Sequence, residues 1–168
     1  DELEWVEVAI PGQYLDKVTV PGLLYEVDRV INLTNLKTHC LADYSLALKA
    51  AVGYMHPLER ISMHKDNLQQ KTVEINLAVM ADLTVIDGRM AMISGGPARG
   101  ATCPADLLLI GDHPAAVDYQ AYQELYRLKQ QHNCLEHFRE NPLDMPQLEH
   151  AARVWPVNDW QQYQLLQY

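Results

Sequence analysis

The chain has only three cysteines, Cys40, Cys103 and Cys134, and no two of them form a CxxC pair. That spacing excludes a zinc ribbon and a cysteine-ligated iron–sulfur cluster held by this sequence alone. The odd count also argues against a disulfide framework, so each cysteine reads as a small buried hydrophobe. No apolar run approaches the roughly 18 residues that a membrane span requires. No secretory leader opens the sequence, which begins DELEWVEVAI without an initiator methionine. Such a start does not reveal the compartment, but a soluble chain of this kind favours the cytoplasm over export. Clustered basic residues are also missing. Thirteen Lys and Arg are scattered among 22 Asp and Glu, for a net charge of −9. An extended nucleic-acid backbone is bound by grouped cations, so this role is excluded, while a small anion held by two or three local basic groups is not. The sequence contains no GxxxxGK[ST], GxGxxG or HExxH motif.

What is present is an ordinary globular composition, 48% hydrophobic and 21% charged over 168 residues, enough for one domain with a core. The run LYEVDRVINL, residues 24–33, predicts a strand. Residues 43–55 predict a helix, because Tyr44, Ala47, Leu48, Ala51, Val52 and Met55 recur at helical spacing. Asp43 is suited to cap its start, with Gly53 and Pro57 marking its end. A second helix is predicted over 67–81 and a short strand over 83–86, stopped by Asp87-Gly88. Residues 93–104, rich in glycine and proline, predict a loop. A strand over 106–110 follows, then a long helix over 114–131 with Val117, Ala121, Leu125 and Leu128 on one face. A shorter helix over 146–155 and a last strand over 162–168 complete the reading, and residues 1–20 suggest a strand pair. Strands alternating with helices predict an α/β fold, a single domain with a largely parallel or mixed sheet flanked by helices.

Polar groups follow three of these strands: Lys37 and His39 after the first, Asp87 and Gly88 after the second, Asp112 and His113 after the third. Ligands of open parallel sheets sit beyond the carboxyl ends of the strands, so these groups are expected to meet at one rim. Lys37 and His39, two residues apart, face one side if the backbone is extended. Lys49 lies at the edge of its helix's apolar stripe. His56 and His64 lie close by in sequence, His64 in a polar turn before the second helix. Asp118 falls on the apolar side of the long helix, where a carboxylate needs a partner: local backbone, a lysine, or a histidine held in one tautomer. The glycines of SGGPARG, with Gly95, Gly96 and Gly100, suit an anion-binding nest, a mobile lid, or a plain surface loop.

Several segments, in order, resemble the DUF362 family. VINLTNLKTHCLADYSLALKAAVGY is similar to its "vin.pklKtH…alKn..G" segment and RISMHK to its "r..fHk" element. LTVIDGRMAMISGGPARG follows "l.ivDgi.am.g.GP..G", LLLIGDHPAAVDYQA follows "l.as.DpvAvDa", and QLEHAARVWPVNDWQQYQL resembles the closing element. The resemblance singles out Lys37, His39, Lys49, Gly53, His64, Asp87, Gly88, Gly96, Pro97, Gly100 and Asp118. It departs from the pattern where His113 separates Asp112 from Pro114 and where Ala50 replaces a frequent Asn. It implies one DUF362-like domain over residues 1–168 that lacks the family's upstream segment. Some members carry fused iron–sulfur segments, which implies an iron–sulfur partner protein as one option here, since this chain has no cluster motif.

Three functions compete. In an enzyme, Lys37 and Lys49, with the glycine loop, would bind a small anionic substrate; His39 or His64 would move a proton, and Asp87 or Asp118 would orient it. In a metal-linked or redox protein, a divalent ion would take nitrogen and oxygen ligands from His39, His64, His113, Asp87 and Asp118. In a non-catalytic subunit of a larger assembly, an exposed apolar patch would be the functional surface.

Overall fold

The computed structural model describes residues 4–156; the strand expected over 162–168 lies outside them. Alternating apolar residues form β1 (Trp5–Ala9) and β2 (Lys17–Pro21), an antiparallel pair that matches the expected strand pair. β3 (Ile31–His39) follows, then β4 (Asp43–Ser45), which turns back antiparallel to it with His39 opposite Asp43. A short helix α1 (Ala47–Ala50) runs into a 3-10 turn over Ala51–Tyr54. Helices α2 (Pro57–Met63) and α3 (Leu68–Glu74) precede the long strands β5 (Leu83–Met92) and β6 (Thr102–Gly111). Helices α4 (Pro114–Gln131) and α5 (Pro146–Val154) complete the described part.

The second sheet has the order β4-β3-β5-β6, with β3 and β5 parallel and both outer pairs antiparallel. The fold is α/β with a mixed sheet flanked by helices. β6 runs against β5, so Gly111 lies opposite Thr84, at the amino end of β5. Asp112 and His113 therefore sit at the opposite end of the sheet from His39, and Asp87-Gly88 lies within β5 rather than at its end, so the expected three-strand rim does not form. The reason is the connection. Nine residues, 93–101, join β5 to β6, too short for the crossover that a parallel neighbour requires.

The helix expected over 43–55 is also corrected. Asp43 adopts a left-handed φ of 65° that closes a tight turn after β3, so it starts a strand rather than capping a helix. Its apolar stripe is nonetheless buried: Tyr44, Ala47, Leu48 and Ala51 are fully inaccessible. Burial, not helical geometry, imposed that pattern. Likewise Asp87-Gly88 does not stop β5, which continues through Met92.

One core packs Leu36, Ile86 and Leu109 of the sheet against Val117, Ala121, Leu125 and Leu128 of α4. Leu125 is fully buried, which contributes about 2 kcal/mol. A second core joins the β1–β2 pair to Ala51, Val52, Met55 and Met63. Between them stands Glu74, only 1% exposed. Its carboxylate accepts the N–H groups of Gln13, Tyr14 and Leu15 at 2.8–2.9 Å, and His150 Nε2 lies 2.9 Å away. Four partners offset the cost of burying that charge.

Among the described residues, the other sheet face is exposed. Strand alternation puts Ile31, Leu33 and Asn35 on it. Leu33 is 76% exposed and Ile110 59%.

Candidate functional site

The strand β3 ends in a cleft of about 640 Å³. Lys37 and His39 enter it from β3, Lys49 from α1, and Arg60 and His64 from α2. The apolar wall includes Leu41, Val52 and Ile61, and the glycine loop contributes Pro97. No Asp or Glu among the described residues lines the cleft. Among the described residues, no carboxylate lies within ion-pair distance of Lys37, Lys49 or Arg60, in a chain whose net charge is −9.

Arg60 is not among the residues that the sequence singles out, because no helix is expected between Pro57 and the polar turn at His64. The signal was there. His56 and Pro57 supply an N-cap and a first-turn proline, and Arg60 and His64 stand four apart, which puts them on one helix face.

The two imidazoles present opposite faces of the same chemistry. His39 Nδ1 accepts the N–H groups of Leu41 and Ala42, both at 3.2 Å. An accepting Nδ1 carries no proton, so the neutral ring offers Nε2–H as a donor. Burial, helped by the positive charges of Lys49, His64 and Lys37, lowers its pKa to about 4. His64 Nδ1 lies 2.6 Å from the Arg60 carbonyl oxygen. A carbonyl only accepts, so here Nδ1 carries the proton and the neutral ring offers a lone pair at Nε2. Lys49 is 8% exposed. Burial, reinforced by Lys37 and opposed by Cys40, holds its ammonium below the ordinary lysine range.

Two buried charges on α4 hold the cleft's walls. Asp118 is fully buried and accepts the N–H groups of Ala47 at 2.6 Å and Leu48 at 3.1 Å. It therefore caps α1, the helix bearing Lys49. Its partner is neither a lysine nor a histidine, nor the backbone of its own helix. Burial pushes its carboxyl up to about 8, against the pull of those two bonds. Lys129, also fully buried, donates to the Ile93 carbonyl at 2.7 Å and sits 4.6 Å above the Phe138 ring. It fixes the start of the glycine loop and went unnoticed in the sequence because helical lysines are usually solvated.

The glycine loop is shaped by sterics rather than by anion-binding amides. Gly96 has φ 94°, and a Cβ there would collide with the Thr38 carbonyl oxygen on β3. Its N–H is taken by Arg99 O at 2.8 Å. Gly95, Gly96 and Gly100 do not line the cleft, whereas Pro97 does.

The remaining candidates stand apart. Asp87 lies opposite Asn35 on the open face, and a 2.7 Å ion pair to Arg89 holds its carboxyl down at about 2. His113 packs edge-on against Trp155, 5.6 Å between ring centroids. His56 packs against Trp5 at 4.9 Å. Among the described residues, no three His, Cys, Asp or Glu side chains gather as a metal site, and no helix is long and apolar enough to cross a membrane.

No curated protein and no solved structure matches the chain. The family model described as "Domain of unknown function (DUF362)" matches residues 1–123, a span that includes every residue of the cleft and Asp118. The chain belongs to the DUF362 family.

Proposed function

We propose that the cleft binds a small anionic substrate and that the protein is an enzyme using Lys–His acid–base chemistry there. The observation that carries this reading is the pair of cationic side chains, Lys37 and Arg60, beside the buried amine of Lys49, in a cleft that no carboxylate of the described residues lines. Surplus positive charge in an acidic protein is stabilised by an anion, and partial enclosure strengthens the attraction relative to open water. Arg60 and Lys37 are the natural clamp for a carboxylate or phosphate. In this reading His39 Nε2–H would hydrogen-bond an oxygen that gains charge, and the His64 Nε2 lone pair would take a proton. Asp118 acts through α1 as a positioning residue. Calorimetric titration with inorganic phosphate and with citrate tests the reading. Binding by the wild type that is lost in Lys37→Ala/Arg60→Ala supports it; equal binding by both proteins, or none by either, overturns it.

The open sheet face favours a second reading, a subunit of a larger assembly. Ile31, Leu33, Leu108 and Ile110 are each more than half exposed, and grouped exposed apolar side chains mark an interaction surface. Light scattering of the purified chain against Leu33→Lys/Ile110→Lys is informative: a mass above the monomer that the substitutions reduce favours assembly through this face. A monomeric wild type removes self-assembly.

A further inference from the structure

We infer that Lys49 is a nucleophilic amine that captures the carbonyl carbon of a small anionic oxo compound, such as a 2-oxo acid, as a covalent imine. The inference rests on the anion-binding reading of the cleft and adds the substrate's reactive group.

Three geometric observations carry it. First, Lys49 is only 8% exposed yet lines the cleft. Second, among the described residues its Nζ has neither a hydrogen-bond acceptor nor a carboxylate within range, unlike the other buried lysine, Lys129, which has the Ile93 carbonyl, the Phe138 ring and Glu136. A purely structural buried lysine would be expected to have partners of that kind. Third, cations reach the cleft from two elements, Lys37 from β3 and Arg60 from α2, and among the described residues no carboxylate lines it. A desolvated amine beside another cation loses its proton more readily, which is one route by which lysine becomes a nucleophile; burial and Lys37 act on Lys49 in that direction.

The neighbouring groups supply the rest of the chemistry. The neutral amine attacks the carbonyl carbon, a C–N bond forms and the carbonyl π pair moves onto oxygen, where the His39 Nε2–H stabilises it. His64 Nε2 takes a proton from nitrogen and passes it to the oxygen, which becomes the hydroxyl of a carbinolamine. It then carries the second nitrogen proton to that hydroxyl, which leaves as water as the nitrogen lone pair forms C=N. One water is released per imine and no oxidant or reductant is required. Lys37 and Arg60 would hold the substrate carboxylate, and Leu41, Val52 and Ile61 would accept an apolar remainder. Leu41 and Ile61 are 58% and 69% exposed, a wettable rim that such a group would cover.

Pyridoxal 5′-phosphate, an anionic aldehyde, is a suitable probe: incubation with the full chain, borohydride reduction, and peptide mapping. Label should concentrate on Lys49, be lost in Lys49→Arg, and be suppressed by excess inorganic phosphate. Pyridoxal, without the phosphate, should label less. A far-UV circular dichroism spectrum and thermal melt of Lys49→Arg that match wild type separate loss of the amine from loss of fold. Label spread over Lys65, Lys71 and Lys37, with none on Lys49 while phosphate still binds, overturns the imine and leaves the anion cleft standing. No phosphate binding and no label at Lys49 overturns both.

Discussion

Asp118 Oδ1 accepts the Ala47 N–H at 2.6 Å, a bond that spans 71 residues of sequence and ties α4 to the helix carrying Lys49. Asp118→Ala leaves two buried N–H groups without an acceptor, so urea denaturation should show a loss of roughly 2–4 kcal/mol. Asp118→Asn, which keeps one carbonyl oxygen, should lose less. Phosphate affinity should fall in both, measured where each variant is folded, because α1 no longer holds Lys49 in place.

Stability below neutral pH should report on His39. Its pKa is lowered from 6.5 to about 4 in the folded protein, so between those values the unfolded chain takes up a proton that the fold rejects. Stability is therefore lost as pH falls from 6.5 towards 4. His39→Asn retains an acceptor for the Leu41 and Ala42 N–H groups but does not titrate. Its melting temperature should depend less on pH across that window. A bound anion should raise the imidazole's pKa and shrink the wild-type slope, and a slope identical in wild type and variant would refute the assignment.

Gly53 lines the cleft, and a Cβ placed on it meets nothing within 4 Å. Gly53→Leu should therefore occupy ligand space rather than clash. We expect stability within about 1 kcal/mol of wild type and an abolished or much weaker phosphate titration.

Glu74→Ala separates architecture from the cleft. It strands three backbone N–H groups and His150, for an expected cost of roughly 3 kcal/mol in denaturant titrations. Glu74 is not part of the cleft lining, so phosphate affinity in the folded fraction should be unchanged.

The legible parts of this protein were those governed by local pattern. The helix over 114–131 was bounded by a first-turn proline and an apolar stripe, and both are found in α4. Lys37 and His39, two residues apart on extended β3, both line the cleft. Asp118 was flagged because an acid among apolar neighbours needs a partner, but its partner lies on another helix. Arg60 was missed along with α2, a two-turn helix whose outward residues Leu58 and Ile61 are 72% and 69% exposed, contrary to the usual inward apolar stripe.

The amino-acid sequence by itself determined the family, the α/β class and the position of most chemically capable side chains, since periodicity and residue type are written locally. Tertiary structure alone decided which of them meet. The antiparallel return of β6 carries Asp112 and His113 to the far end of the sheet, and α4 supplies the buried Asp118 and Lys129 that hold α1 and the start of the glycine loop. Such pairings depend on strand direction and on desolvation by distant segments, neither of which any single stretch of sequence encodes.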